Sequence, residues 1–151
     1  MHLTCSEQVS DPDNERLSLA GEIFDLRVAD DFLERNQGLM GVEQIEPNGG
    51  MLFIFPNAAQ RAFWMGNCLT DMDIIFVDSR GRVTATHEMK RQAPQFKNES
   101  DIQYHQRLGT YSSVLPAQFA IELAPGRIKE LGISFNDQLD IDLDHLKSRA
   151  R

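Results

Sequence analysis

The sequence has few of the residues that mark several common protein classes. Its two cysteines, Cys5 and Cys68, show no metal-ligand spacing and are too few for a framework of disulfides. No apolar run approaches the roughly 18 residues that a membrane-spanning helix needs. The formal net charge is −8, and lysine and arginine cluster only in the last few residues. The lack of a long apolar run predicts that there is no transmembrane helix. A net negative charge repels phosphate backbones, so no nucleic-acid partner is predicted.

The length and apolar content indicate a single folded domain. The chain has 151 residues, of which 41% are hydrophobic, enough for one substantial core. Residues 1–15 are almost devoid of apolar side chains and are predicted to be a flexible polar leader. A single β-rich domain is predicted over residues 16–145 and a short basic tail over residues 146–151. The start lacks a positively charged segment followed by an apolar core, so no export signal is predicted, and the compartment stays open.

Short strands dominate the apolar pattern. Phe24, Leu26 and Val28 alternate with charged residues, which is typical of a strand with one wet face. Residues 51–55 and 74–77 are apolar at every position, which predicts central strands buried on both faces. Residues 73–88 are predicted to form a hairpin, because a Ser-Arg-Gly turn separates two apolar segments.

Later segments add further strands and short helices. Residues 119–123 are predicted to be a strand, and alternating Leu139, Ile141 and Leu143 predict a final one. Helices are predicted after Asp31, between Asp101 and Leu108 in a polar excursion, and between Pro125 and Gly132. The fold class predicted is mainly β, a single-domain β-sandwich or distorted barrel with two or three short helices.

Five segments carry a resemblance to a known family. They are Glu34-Arg35 with Gly38-Leu39-Met40, then GMLFIF from Gly50, Phe63-Trp64-Met65 with Asn67, DIIFVD from Asp73, and Tyr111-Ser112-Ser113 continuing through Glu122-Leu123 to Pro125-Gly126. In order and spacing they resemble the domain-of-unknown-function family number 192 over roughly residues 17 to 143. The resemblance implies a small β-rich fold in proteins that are often exported, and it implies no established activity.

The segment around the tryptophan is the densest candidate for a site. Trp64, Met65, Asn67 and Asp73 combine an aromatic ring, a thioether, an amide and a carboxylate within ten residues. Binding pockets are built from such mixtures of apolar wall and few polar anchors. The alternative is structural, with Trp64 filling the core and Asn67 and Asp73 bonding backbone N–H groups.

Four further residues complete the candidate site. Arg35 can clamp a carboxylate, either that of Glu122 or Asp73 within the protein or that of an anionic ligand. Tyr111 and Ser112 add hydroxyl groups to the candidate site. The histidines are scattered without ligand spacing, so no metal site and no cofactor are predicted.

Three hypotheses for the function follow from these residues. The leading one is a non-catalytic binding or accessory module for an unidentified small molecule or protein, of unknown oligomeric state. The second is a hydrolase-type enzyme that uses Asp73 and Glu122 as acid and base on a small polar or sugar-like substrate, which requires both carboxyl groups to face one cleft. The third is a purely structural or interaction domain, which requires these residues to be buried and mutually satisfied.

Overall fold

The computed structural model describes residues 12–151, which form eight strands and four short helices. The strands are β1 (Asn14–Leu19), β2 (Glu22–Ala29), β3 (Met51–Ala59), β4 (Ala62–Phe63), β5 (Met72–Val77), β6 (Val83–Met89), β7 (Tyr111–Ser112) and β8 (Ala117–Leu123). The helices are α1 (Phe32–Gln37), α2 (Asp101–Leu108), α3 (Arg127–Leu131) and α4 (Leu143–Arg149). None of these four helices is long and apolar enough to span a membrane.

Six strands form one mixed sheet in the order β1-β2-β3-β8-β5-β6, and β4 pairs with β7 in a separate small ribbon. Strands β2 and β3 run parallel, with α1 in the connection between them, and the other named pairs run antiparallel. Strands β1 and β6 end the order without pairing to each other, so the large sheet stays open over the described residues. The mainly β class is confirmed, and the layered arrangement is a distorted sandwich rather than a closed barrel.

The large sheet has two different faces, because side chains alternate along each strand. On what we call the helix face, Leu52, Ile75 and Ile121 pack with residues of α3, α4 and the connection between them. On what we call the loop face, Phe53, Ile74 and other side chains pack beneath residues 39–45, beneath residues 60–68, which we call the tryptophan segment, and beneath the small ribbon. Each face therefore carries a hydrophobic core of its own.

The strands predicted to be central are central. Strand β3 lies between β2 and β8, and β5 lies between β8 and β6. Every residue of β5 is buried, as the continuous apolar pattern predicts. The hairpin over residues 73–88 is confirmed by the antiparallel pairing of β5 with β6.

The C-terminal part differs from its prediction. Residues 139–143 do not form a strand, and the alternating Leu139, Ile141 and Leu143 instead pack against the helix face. Asp142 caps α4 by accepting a hydrogen bond from the backbone N–H of His145 (3.2 Å). The segment predicted to be a basic tail thus contributes a fourth helix, since a cap and the apolar Leu146 outweigh an alternation only five residues long.

The basic residues of this segment bind back to the N-terminal part of the domain. Arg149 donates to Glu15 (2.7 Å) and Asp30 (3.3 Å), and Arg151 donates to Asp30 (3.0 Å). Strand β1 begins at Asn14, within the segment predicted to be a leader. The rest of that leader, residues 1–11, lies outside the described residues.

Candidate functional site

A cleft of about 510 Å³ opens on the loop face between α1 and the segment over residues 60–68. This volume is within the range of small-molecule sites. The sheet forms its floor through Phe53, Phe55 and Glu122. The cleft therefore has a largely aromatic floor interrupted by one carboxyl group.

Helix α1 forms the first wall of the cleft. The carboxylate of Asp31 caps it by accepting from the backbone N–H of Glu34 (2.8 Å), as the sequence predicts. The helix ends at Gly38, whose φ of 50° suits glycine. A Cβ atom there would lie 3.3 Å from the ring of Phe53, so glycine lets the helix end approach the floor closely.

The tryptophan segment forms the second wall. The ring of Trp64 lies against Gly66, where an added Cβ would come within 2.4 Å of ring atoms. Behind Trp64 stands α2, whose His105 and Tyr104 rings lie 4.0 and 5.8 Å from the indole, centroid to centroid. Helix α2 therefore packs against this wall without lining the cleft itself.

Two guanidinium groups meet at the cleft. Those of Arg61 and Arg35 lie 3.8 and 5.5 Å from the centroid of the Phe55 ring. Arg35 donates to the backbone oxygen atoms of Ile54 and of Arg151, the last residue of the sequence (both 3.0 Å), and Arg61 donates to the backbone carbonyl of Ala117 (3.2 Å). Burial and the charge of Arg35 lower the pKa of Arg61. Within residues 12–151 neither arginine forms an ion pair with an aspartate or glutamate, so this part of the cleft keeps a positive charge.

Glu122 supplies the carboxyl group of the floor. Its side chain is buried, and its Oε2 atom has no hydrogen-bond partner within the described part of the chain. Burial raises the pKa of Glu122 to about 8, so the carboxyl group is mainly protonated at neutral pH. Burial and the charge of Glu122 raise the pKa of the nearby Cys68 thiol to about 11, so this thiol is mainly protonated at neutral pH.

The structure brings three of the eight predicted site residues to the cleft, namely Arg35, Trp64 and Glu122. Met65 is part of the core of the loop face. Asn67 is exposed, and its backbone N–H donates to the Tyr104 hydroxyl (3.1 Å). Tyr111 and Ser112 form β7 beside β4 and do not line the cleft.

Asp73 lies on the opposite face of the sheet from Glu122. In the pairing of β5 with β8, Ile74 is opposite Glu122 on the loop face, and Asp73 is opposite Leu123 on the helix face. The Asp73 carboxylate accepts from the backbone N–H of Ile128 (3.0 Å), at the N-terminus of α3. An acid and base pair of Asp73 and Glu122 is therefore wrong, because no cleft can reach both carboxyl groups through the sheet.

A cluster of three carboxylates lies away from the cleft. Oxygen atoms of Asp30, Asp31 and Glu34 lie within 4.8 Å of one another. Arg151 donates to Asp30 and lies 3.9 and 4.0 Å from Asp31 and Glu34. Burial opposes ionisation of Asp30, but hydrogen bonds from Arg151, Glu34 and Arg149 outweigh it and keep the pKa of Asp30 below its usual value. The cluster is thus an ion-pair network rather than a bare set of metal ligands.

Arg61, which completes the positive part of the cleft, is not among the site residues predicted from the sequence. No local pattern marks it, since its hydrogen-bond partner Ala117 lies 56 residues away in the sequence. The sequence marks Glu122 more clearly than Arg61, because Glu122 is the single charged residue of β8, a strand that is buried throughout. A lone carboxyl in such a strand must either find a partner or face a cavity.

The comparisons with known proteins agree with this fold. The family model of DUF192, described as an uncharacterized ACR, matches residues 15–141. A UPF0127 protein of Thermococcus gammatolerans is 27% identical over 130 residues, which cover 83% of this chain and 71% of that protein.

Two solved structures are similar to the chain. A protein of Sinorhizobium meliloti, described as a candidate transcription regulator, is 30% identical with a TM-score of 0.65, over 83% of this chain and 89% of that one. A protein of unknown function from Novosphingobium aromaticivorans is 22% identical with a TM-score of 0.69, over 89% of each chain, and supports the fold alone. With the family match over most of its length, the chain belongs to the DUF192 family.

Proposed function

We propose that this chain is a non-catalytic binding module for a small organic anion, held in the cleft between α1 and the tryptophan segment. The observation that carries the proposal is the meeting of Arg35 and Arg61 at one cleft, where neither pairs with an aspartate or glutamate of residues 12–151. Guanidinium groups bind carboxylate and phosphate groups through paired N–H donors, which makes an anion the matching ligand.

Except for one bond of Arg35 to the last residue of the sequence, the hydrogen bonds that the two arginines already make reach neutral oxygen atoms. These oxygens are the backbone carbonyl of Ile54 for Arg35, and the backbone carbonyls of Asn57 and Ala117 with the side-chain amide of Asn57 for Arg61. These contacts orient the guanidinium groups, and the remaining N–H donors stay available to a ligand. Orientation before binding lowers the entropy lost when the ligand arrives.

The rest of the cleft suits an organic body attached to the anionic group. Phe32, Phe53, Phe63 and Trp64 line it. Aromatic side chains bury a large area and favour stacked or edge contacts with flat groups. A small anion with an apolar or aromatic body therefore matches both parts of the cleft better than an inorganic ion does.

The other hypotheses have less support. The hydrolase hypothesis depends on a pair of carboxyl groups, and Asp73 and Glu122 lie on opposite faces of the sheet. A purely structural role leaves the cleft and its two arginines unexplained, although it does account for Asp73. Regulation of transcription is described for the Sinorhizobium meliloti protein alone, and a net charge of −8 disfavours direct contact with DNA here.

Three probes that share one ring test the proposal, namely benzoate, benzamide and benzylamine. We expect benzoate to bind at least about tenfold more tightly than benzamide in titration calorimetry, since hydrogen bonds to charged groups are the stronger ones. Arg35→Met and Arg61→Met should each remove that preference. The control Arg80→Met removes a guanidinium from an exposed turn that does not line the cleft.

Melting temperatures identify any variant that fails to fold. Equal binding of all three probes, absence of binding to the wild type, or the same loss in Arg80→Met would count against an anion site at this cleft.

A further inference from the structure

Glu122 is an unusual residue for the centre of a sheet. Strand β8 lies between β3 and β5, and Glu122 is paired with the apolar Met51 on one side and Ile74 on the other. All seven residues of β8 are buried, and Glu122 is 6% exposed. The strand thus places one carboxyl group on the floor of the cleft, among apolar neighbours.

Among residues 12–151, no charged group compensates for the burial of Glu122. The titratable groups that share the cleft with Glu122 are Arg35 on α1 and Arg61 and Cys68 on the facing segment. The two guanidinium groups bond to other atoms, and no ion pair of Glu122 occurs among the described residues. A charged carboxylate is strongly disfavoured in such surroundings, so the neutral acid is the stable form near neutral pH.

A neutral carboxylic acid differs from a carboxylate in what it can bind. It carries one O–H donor, whereas the ionised form only accepts hydrogen bonds. An unpartnered donor in a dry site is costly unless a ligand or a water molecule accepts from it. The buried Oε2 atom therefore has an unused bonding capacity beside the cleft.

We propose that Glu122 donates a hydrogen bond from the floor of the cleft to a carbonyl oxygen of a ligand whose anionic group lies at Arg35 and Arg61. The ligand class is then an organic oxo acid, with an anionic group at one end and a neutral carbonyl group at the other. This inference rests on the proposed anion site, and it adds a second polar contact that the anion site alone does not require.

Matched probe pairs separate the two contacts. The first pair is para-acetylbenzoate and para-ethylbenzoate, and the second is benzoylpropionate and phenylbutyrate. Within each pair both acids keep the carboxylate and the carbon skeleton, and one of them lacks the ketone oxygen. At pH 7 we expect at least one ketone probe to bind about fivefold more tightly than its partner, the effect of one added hydrogen bond.

Variants at Glu122 identify the donor. Glu122→Gln keeps an N–H donor of similar shape and should keep the ketone preference, whereas Glu122→Leu should remove it. As pH rises through about 8 the wild-type preference should vanish, because ionisation removes the O–H donor. The preference of Glu122→Gln should not change with pH, because an amide does not ionise in this range.

The outcomes distinguish the inference from the function on which it depends. If both members of each pair bind the wild type equally, the anion site stands and the role of Glu122 is rejected. If the ketone preference survives in Glu122→Leu, or persists in the wild type above the pKa of Glu122, the role of Glu122 is likewise rejected. If no acid binds at all, the proposed anion site fails, and this inference fails with it.

Discussion

The two faces of the large sheet differ in how their charged and polar groups are paired. On the helix face Asp73 accepts a backbone hydrogen bond, and Arg149 is paired with Glu15 and Asp30. On the loop face, over the described part of the chain, Arg35 and Arg61 pair with no aspartate or glutamate, and Glu122 has an oxygen without a hydrogen bond. Buried charges are normally paired because an unpaired one lowers stability. The helix face is therefore the stabilising side, and the loop face carries polar groups that a ligand can use.

Truncation of core side chains should produce the largest difference in the free energy of unfolding between the two faces. Phe119→Ala removes a ring that is 0% exposed and packed against the helix face, and we expect the free energy of unfolding to fall by about 3 to 5 kcal/mol. Phe53→Ala should lie at or below the lower end of that range, because Phe53 also lines the cleft and its loss leaves a space open to solvent. Urea unfolding of both variants measures the difference. A larger loss for Phe53→Ala would contradict this contrast.

The stability of the loop face should depend on pH through Glu122. Its pKa is raised from 4.5 to about 8 by folding, so the folded state binds one more proton than the unfolded state between these values. Stability therefore falls as pH rises across this window, by about 1.4 kcal/mol per pH unit at most.

Glu122→Gln is the matched control, because the amide cannot ionise. We expect the free energy of unfolding of the wild type, relative to this variant, to decrease between pH 5 and pH 7.5 in chemical denaturation. Parallel curves for the two proteins would show that Glu122 is ionised or paired in the folded state.

Asp73 should have the smallest of these effects and a purely structural one. Gly126 precedes α3 and offers no side chain to cap it, so the Asp73 carboxylate supplies the cap from β5. Asp73→Asn should lower the free energy of unfolding by about 1 to 3 kcal/mol, the cost of disturbing a buried hydrogen-bonded group. Asp140→Asn, at an exposed position, is the control in thermal denaturation. Altered benzoate binding in Asp73→Asn without loss of stability would instead link Asp73 to the cleft.

The sequence is most informative where local pattern and burial coincide. Residues 74–77 are apolar without interruption and become the interior of β5, and Asp31 predicts the start of α1 because its cap is local. The order of strands is not local, and neither is the face on which each side chain lies. Asp73 and Glu122 were grouped by chemistry, but the register of β5 with β8 separates them.

The remaining errors have the same physical origin. An alternation over Leu139, Ile141 and Leu143 is equally compatible with a strand and with an irregular segment packed on a core, and only the tertiary packing decides. Arg61 is held in part by a hydrogen bond to Ala117, which is remote in the sequence, so the residues around Arg61 do not predict its position at the cleft. Arg35 and Trp64 were identified by their chemistry, as a guanidinium that can clamp a carboxylate and as an aromatic ring close to polar side chains.

The close packing of Trp64 on Gly66 has a consequence for how the molecule can be observed. Trp64 is the only tryptophan in the chain, and its ring lines the cleft and makes a tilted contact with the ring of His105. All of the indole fluorescence of the protein therefore originates at this one wall. Whatever enters the cleft changes the surroundings of the single emitter, so the protein carries an intrinsic optical reporter of occupancy and needs no attached dye.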